Sequence, residues 1–419
     1  MEKVSVIGMG YVGFPLACAI AKCGKYETLG FDIDEKKIDM IKARKAPVDD
    51  RRASDDILTV SLRASSSSDD LKDSDYIIIA VPTPVTEAKN PDLGPVKSAV
   101  ELIVPYMKKG QIIILESTVN PGVCDEDVLP ILERSGLKAG VDFDLAHCPE
   151  RINPGDEKFT VYNINRNIGA SSLSGVKRAA AFYRSFLDEG VLVNEMSSLQ
   201  AAEATKIVEN TFRDINIAYV NELAKSFEMM GLDIVEVING AANKPFAFLA
   251  HYPGCGVGGH CIPVDPYYLI EKAKKIGFTH DFLIYARKVN NSMPGYTVGK
   301  LSSGLNELKL SVNGTKVGLL GLSYKANVAD FRESPAFQIK KKLEKLGADL
   351  LICEPHADGY EDLDRILEEC VAVVIAADHN EFKQIRDWGN VRLVVDGRNC
   401  LDKEEIKAKG ILYKGIGRN

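Results

Sequence analysis

The chain predicts an α/β protein in which two doubly wound, Rossmann-like domains are joined by a helical domain containing one long central helix. Three observations carry this. Val4-Ser5-Val6-Ile7 runs into Gly8-Met9-Gly10-Tyr11-Val12-Gly13 and then into an apolar-periodic segment ending near Lys22, so a Gly-x-Gly-x-x-Gly run sits at a strand-to-helix junction. After Ser197 helical periodicity continues for about 33 residues, roughly 50 Å, longer than most globular helices. Strand and helix patterns then alternate again from Thr315. The expected domains are 1–196, 197–305 and 306–419.

At about 150 residues per domain, a chain of 419 residues allows two or three such cores. Hydrophobic content of 45% and charged content of 26% are those of a soluble globular protein. Net charge of -7 and a pI near 5.6 exclude a global basic field for nucleic acid or anionic membrane. An anionic nucleotide would therefore be met by local Arg, Lys and helix N-termini. The nine cysteines have no repeated spacing, and neither a leader pattern nor a bilayer-length apolar run is present, so a cytoplasmic protein with reduced thiols is expected. His147-Cys148 and His260-Cys261 supply four conceivable zinc ligands. They lack the short Cys-x-x-Cys spacing of structural zinc sites, and no metal is expected.

In the first domain, strands are expected over 4–7, 28–32, 76–81 and 111–115, with helices to about 22 and over 36–43. Continuous apolar runs such as Tyr76-Ile77-Ile78-Ile79 suit a parallel sheet covered on both faces. Gly8 and Gly10 let the backbone turn towards a pyrophosphate, and Gly13 permits close packing of helix on strand. Asp32, 19 residues after Gly13, stands where a carboxylate meets the adenosine ribose; this favours NAD over NADP, although Lys36 and Lys37 lie nearby. A helix cap is the other use of an Asp there. The polar tract 65–70 and the breaker-rich stretch 82–95, with Thr83, are loops. The latter and Glu116-Ser117-Thr118 leave the carboxyl ends of strands, the side on which open α/β sheets bind ligands.

Cys148-Pro149-Glu150-Arg151-Ile152-Asn153-Pro154-Gly155 follows the strand-like 143–146. Ser197, with Gln200 three residues on, is expected to cap the long helix, which stops at Gly231. Glu203, Lys206, Asn210 and Arg213 fall on one stripe of it, either a solvated face or a functional one. Gly254-Cys255-Gly256-Val257-Gly258-Gly259-His260-Cys261-Ile262-Pro263-Val264-Asp265-Pro266 is too rich in Gly and Pro for helix or strand interior. It brings backbone close to something around Cys261, which is either an inert buried thiol or a nucleophile. A helix opens at Pro266, and another, carrying Arg287, is expected to run out at 292–295. The second α/β unit has strands over 316–320, 349–353, 371–376 and 391–395 and a helix started by Ser334-Pro335. It lacks a complete Gly-x-Gly-x-x-Gly.

Together the glycine fingerprint, Glu116-Ser117-Thr118-Val119-Asn120-Pro121-Gly122, Cys148-Pro149-Glu150-Arg151, Lys206/Asn210, Gly258-Gly259-His260-Cys261 and Tyr324-Lys325 to Arg332 stand in the order of the nucleotide-sugar 6-dehydrogenases. The chain resembles that family over nearly its whole length. The Cys261 loop resembles the members acting on UDP-N-acetylmannosamine or UDP-N-acetylglucosamine; UDP-glucose members usually carry a Phe-Gly-Gly-Ser-Cys-Phe-Pro type of loop. The resemblance implies an NAD-dependent four-electron oxidation of a C6 hydroxyl to a carboxylate, in two hydride transfers with a thiohemiacetal and then a thioester on Cys261. Lys206 and Asn210 would stabilise the developing alkoxide. Glu150, Thr118 and Asp265 would position water, and Asp265 would orient Lys206. Cofactor contacts are implied for Gly8, Gly10, Tyr11, Val12, Gly13, Asp32, Thr83, Thr118 and Arg332. Substrate contacts are implied for Arg151, Ile152, Lys206, Asn210, Arg213, Gly258, Tyr324 and Lys325, with Arg287 a further candidate. The long helix suggests a homodimer, and surface-polysaccharide precursor synthesis is the implied setting. The alternatives are a UDP-glucose 6-dehydrogenase, a single-hydride 3-hydroxyacid dehydrogenase, which needs no cysteine, and a nonenzymatic nucleotide-sensing or zinc-bound structural protein.

Overall fold

The computed structural model describes residues 1–48, 50–86, 90–152 and 158–418. Asn153, Pro154 and Gly155 of the expected sugar loop therefore lie outside the described residues. The chain forms two compact units, residues 1–209 with 267–278, and residues 210–266 with 279–419.

The first unit is built on an eight-stranded sheet. Its strands are β1 (Glu2–Ile7), β2 (Tyr26–Phe31), β3 (Leu62–Ser65), β4 (Tyr76–Ile79), β5 (Ile112–Leu115), β6 (Asp144–His147), β7 (Arg166–Ala170) and β8 (Val193–Glu195). They lie in the order β3-β2-β1-β4-β5-β6-β7-β8, parallel except between β6 and β7. The order reverses between β1 and β4, which makes that crevice a topological switch point. The apolar strands are buried on both faces: Ile78, Ile112 and Ile114 pack with Phe14, Leu16 and Ile20, whereas Ile77, Ile79 and Ile113 pack with Val96, Val100 and Ile103. The tract expected to be loop from residue 65 begins as the end of β3, where Ser65 pairs with Phe31.

The long helix is Leu199–Met229. Its first turn is capped by Ser198 rather than Ser197, since Ser198 Oγ accepts the Ala201 N–H at 3.1 Å. It ends as expected at Gly231, whose φ of 73° lets the Leu232 N–H reach back to the Phe227 carbonyl at 2.8 Å.

The second unit carries a five-stranded parallel sheet of β9 (Lys316–Leu320), β10 (Asp349–Cys353), β11 (Ala372–Ile375), β12 (Leu393–Asp396) and β13 (Leu412–Gly415). Their order is β10-β9-β11-β12-β13, with its own switch point between β9 and β11. The helix expected to stop at 292–295 instead runs from Asp281 to Glu307, straight through Pro294. Beyond the proline, Val298, Leu301 and Leu305 are buried against Val317, Leu319, Val374 and Leu393. Burying three such side chains at about 1.5–3 kcal/mol each outweighs the ~3 kcal/mol of an interior proline.

Candidate active site

In the first unit the chain turns at the switch point through Gly8. Its N–H donates to the Phe31 carbonyl at 2.8 Å, its φ is 99°, and a Cβ there would stand 2.6 Å from the Ala80 carbonyl oxygen. At Gly13 a Cβ would meet the Gly8 carbonyl at 1.9 Å, so the helix Gly13–Lys22 presses directly on the turn. Gly10 differs: no atom lies within 4 Å of where its Cβ would be. No side chain caps this helix either, with Val12 at its N-cap and Tyr11 exposed beside it. An uncapped helix N-terminus behind an open glycine fits a pyrophosphate.

Asp32 completes the arrangement. One carboxylate oxygen accepts the Met9 N–H at 2.8 Å and Lys37 Nζ at 3.0 Å, and the other accepts the Asp34 N–H at 2.9 Å. The next helix is capped by Asp34, not Asp32. Lys37 is thus committed to Asp32, and the residues present fit a dinucleotide with an unphosphorylated ribose.

Thr118 is half-buried in the turn after β5. The preceding Ser117 Oγ donates to the Val81 carbonyl at 2.7 Å, tying this turn to the one after β4. In the latter, the Thr83 carbonyl accepts the Tyr268 hydroxyl at 2.8 Å. Glu203, from the long-helix stripe, is wholly buried and accepts the N–H groups of Gly122 and Cys124 at 2.6 and 2.8 Å. Lys206 is buried one turn further on. Glu150 turns into the fold, one oxygen accepting the N–H groups of Arg151 and Ile152 and the other Arg166 Nη1 at 2.9 Å. Arg151 itself pairs with Glu209 at 2.6 Å.

In the second unit the cysteine loop lies over the carboxyl ends of the strands. The Cys255 N–H donates to the Gly397 carbonyl at 2.8 Å, and the Gly259 N–H donates to that of Arg332 at 2.9 Å. Added Cβ atoms at Gly258 and Gly259 would stand 2.5 and 2.9 Å from the Tyr324 side chain, so only glycine allows this approach. Cys255 is buried, and that burial pushes its thiol up. Cys261, six residues on, is exposed. Its carbonyl accepts the N–H groups of Val264 and Asp265 at 3.1 and 2.9 Å, opening the helix Asp265–Lys275. The buried Asp265 carboxylate accepts Asn210 Nδ2 at 2.5 Å. Tyr324 and Lys325 are half-buried, while Arg213 and Arg332 are exposed. Arg332 is paired with Asp330, and Arg287 with the buried Asp214.

The zinc arrangement meets two obstacles. Side chains alternate along β6, and Cys148 falls with Ala146 in one core, on the face opposite His147. His147 is also wholly buried, which closes its ring nitrogens to an ion from solvent. Among the described residues, His356, His379 and Glu381 bring three possible metal donors near one another. His379 is already committed: Nδ1 accepts the Asn327 N–H at 2.8 Å, and Nε2 stands 3.0 Å from Ser323 Oγ and 3.2 Å from a Glu354 oxygen.

Sequence reasoning passed over Arg166, Tyr183, Glu354 and His379. The one signal was an arginine opening the otherwise uncharged segment Arg166–Ala170.

Three segments match the UDP-glucose/GDP-mannose dehydrogenase family: residues 2–187 its NAD binding domain, 200–292 its central domain and 318–403 its UDP binding domain. The chain is 34% identical to a UDP-N-acetyl-D-mannosamine dehydrogenase of Pyrococcus horikoshii, over 99% of both chains. It is 36% identical to a UDP-N-acetyl-D-glucosamine 6-dehydrogenase of Pseudomonas aeruginosa, over 96% of this chain and 98% of the other. A solved structure of the Pyrococcus horikoshii UDP-D-ManNAc dehydrogenase superposes with a TM-score of 0.92 at 33% identity, covering 100% of this chain and 99% of that one. With its glycine turn at a switch point and an uncapped helix behind it, the chain belongs to the UDP-glucose/GDP-mannose dehydrogenase family and is an NAD-dependent nucleotide-sugar dehydrogenase.

Proposed function

We propose that this protein oxidises the C6 hydroxyl of a UDP-N-acetylhexosamine to a carboxylate through a thioester on Cys261. The observation that carries the reading is the contrast within one loop, where Cys255 is buried as a packing thiol and Cys261 is left exposed. An accessible thiol on a glycine loop fits a nucleophile. NAD, when bound, supplies the two-electron acceptor for each oxidation. Lys206 and Asn210 stabilise negative charge developing on the C6 oxygen, and the bond from Asn210 to Asp265 supports Asn210 in that orientation. Thr118, Glu150 and Asp265 serve the water that hydrolyses the thioester. The main chain at Arg151 and Ile152, with Arg213, Gly258, Tyr324 and Lys325, serves the UDP-sugar, and Arg332 serves the cofactor phosphates. Residues 1–196 bind NAD, 197–305 carry dimerisation and catalysis, and 306–419 bind UDP.

UDP-N-acetylmannosamine is the favoured substrate and UDP-N-acetylglucosamine the second, in keeping with the names of the relatives. UDP-glucose remains the competing substrate. Among the described residues no helix is long and apolar enough to cross a membrane, which supports a cytoplasmic enzyme making a polysaccharide precursor. In the second unit Phe212, Tyr219, Phe248 and Leu249 line an exposed apolar groove beside the long helix. A second copy of the chain is the occupant proposed for it.

The test is stoichiometric. With each of the three UDP-sugars and excess NAD, the wild type should form two NADH per sugar oxidised, fastest with UDP-N-acetylmannosamine. Cys261→Ser should lose turnover to the acid nearly completely while still binding cofactor and substrate. Wild-type turnover in Cys261→Ser makes Cys261 a structural thiol and overturns the reading.

A further inference from the structure

Beneath the turns that carry Thr118 and Glu150, the first unit buries two carboxylates around one arginine. Glu116 follows β5, Glu150 follows β6, Arg166 opens β7, and Tyr183 lies on the helix Leu173–Arg184. Glu116, Arg166, Tyr183 and the neighbouring Cys148 have no solvent exposure, and Glu150 is 6% exposed. Arg166 Nη1 stands 2.9 Å from one Glu150 oxygen and 3.8 Å from Glu116. Its Nη2 reaches the Val161 carbonyl at 3.4 Å, and the guanidinium lies 5.5 Å from the centre of the Tyr183 ring. The Tyr183 hydroxyl donates to one oxygen of Glu116, and the other oxygen has no hydrogen-bond partner.

Two ionised carboxylates and one guanidinium would leave a surplus negative charge out of water, which costs several kcal/mol. The donors are shared unequally. Glu150 holds Arg166 and two backbone N–H groups, whereas Glu116 holds the Tyr183 hydroxyl and only a long contact to Arg166. Burial drives the Glu116 carboxyl up; Arg166 opposes this and the charge on Glu150 adds to it, and the group comes to rest at about 7.

We infer that Arg166 and Glu116 are positioning residues for Glu150, Arg166 fixing its carboxylate in place and Glu116 taking up the surplus proton of the cluster. The inference rests on the proposed role of Glu150 in thioester hydrolysis. In that step the water oxygen bonds to the acyl carbon and the C–S bond breaks, its electron pair remaining on Cys261 Sγ. One water proton passes to Glu150 and on to the departing thiolate, and the other leaves with the acid. With Glu116 neutral, Arg166 is committed to Glu150. Once Glu116 ionises, both carboxylates compete for the one guanidinium, and the hydrolytic half slows.

Rapid-mixing kinetics with UDP-N-acetylmannosamine and excess NAD would test this. Arg166→Met and Arg166→Lys should keep the initial NADH burst while steady-state turnover falls roughly 10- to 100-fold, the scale of a misplaced catalytic group. Intact mass should then show the sugar adduct accumulating on the protein. Glu116→Gln should abolish a decline in wild-type turnover as pH rises through about 7; this variant carries the test if the Arg166 variants do not fold. A wild type making two NADH per sugar, with Arg166 variants keeping the normal ratio of burst to steady rate or Glu116→Gln keeping the decline, rejects this inference alone. A wild type making one NADH per sugar rejects the thioester reading and this inference with it.

Discussion

The two sheets repeat one device and use it differently. At the end of β1, Gly8 turns with φ 99°, donates to the last residue of β2, and is followed by Met9, whose N–H is held by Asp32. At the end of β9, Gly321 turns with φ 87°, donates to the last residue of β10, and is followed by Leu322 and Ser323, whose N–H groups are held by Glu354 at 2.7 and 3.0 Å. Both turns sit at a switch point. After the first, a helix begins at Gly13 with no side-chain cap, leaving donors for a pyrophosphate. After the second, the next helix waits until Pro335 and is capped by Ser334. The intervening loop instead carries Tyr324, Lys325 and Arg332 and supports the glycines before Cys261. Under the proposed function each glycine turn would offer a place for a nucleotide, met chiefly by backbone donors at the first and by side chains of the following loop at the second.

The largest effect should come from the turns themselves. Gly8→Ala would force a Cβ to 2.6 Å from the Ala80 carbonyl oxygen, and Gly321→Ala one to 2.5 Å from the Ala377 Cβ, each at a positive φ. Each should cost about 2–4 kcal/mol of stability, read by urea unfolding. If either is tolerated within about 0.5 kcal/mol, the ordinary scatter of surface substitutions, the two turns are not equivalent.

The carboxylates should separate the two sites next. Glu354→Ala leaves the buried N–H groups of Leu322 and Ser323 without their acceptor and takes a carboxylate away from His379, a loss of about 2–4 kcal/mol. Burial raises the Glu354 carboxyl, but the bonds from His379, Leu322 and Ser323 prevail and hold it at about 2, below its ordinary 4.5. Its stabilisation is therefore fully present above pH 4.5 and is lost as pH falls towards 2. In Glu354→Ala that part of the acid dependence should disappear. Asp32→Ala should cost less, about 1–2 kcal/mol, and should instead narrow the preference for NAD over NADP in kcat/KM. A wild type that uses NADP as well as NAD would remove the role assigned to Asp32.

Legibility in the sequence tracked the same physics. The bounds of β9, a central strand, and of β10, an edge strand with an apolar run of its own, are those expected, and the glycine fingerprint stands at its switch point, because apolar runs and close-packed turns constrain residue type strongly. The strands β3, β8 and β13 went unread: each is a short edge strand, held by pairing with one neighbour rather than by a pattern of its own. β7 opens on a charged residue, and its reason, two buried carboxylates, is distant in sequence. Pro294 misled in the other direction, since tertiary burial beyond it overrode a local breaker. Of the stripe on the long helix, Glu203 turned to hold the N–H groups of Gly122 and Cys124, a partner that spacing along the helix does not reveal.

The smallest effect on stability is expected at the glycine that the fold does not need. Gly10 has an unexceptional φ, and no atom lies within 4 Å of its absent Cβ, unlike Gly8 and Gly13 on either side. If packing alone had placed a glycine there, a neighbour would fill that space. Its openness, in front of an uncapped helix N-terminus, is what close approach of a pyrophosphate requires. Gly10→Ala should therefore change unfolding free energy by no more than about 0.5 kcal/mol, yet raise the KM for NAD several-fold with the KM for the UDP-sugar unchanged. The matching control is Gly13→Ala, whose Cβ would strike the Gly8 carbonyl and which should lose stability and NAD binding together. An unchanged KM for NAD in Gly10→Ala would place the pyrophosphate elsewhere on the first unit, and the contrast between its turn and that of the second unit would lose its basis.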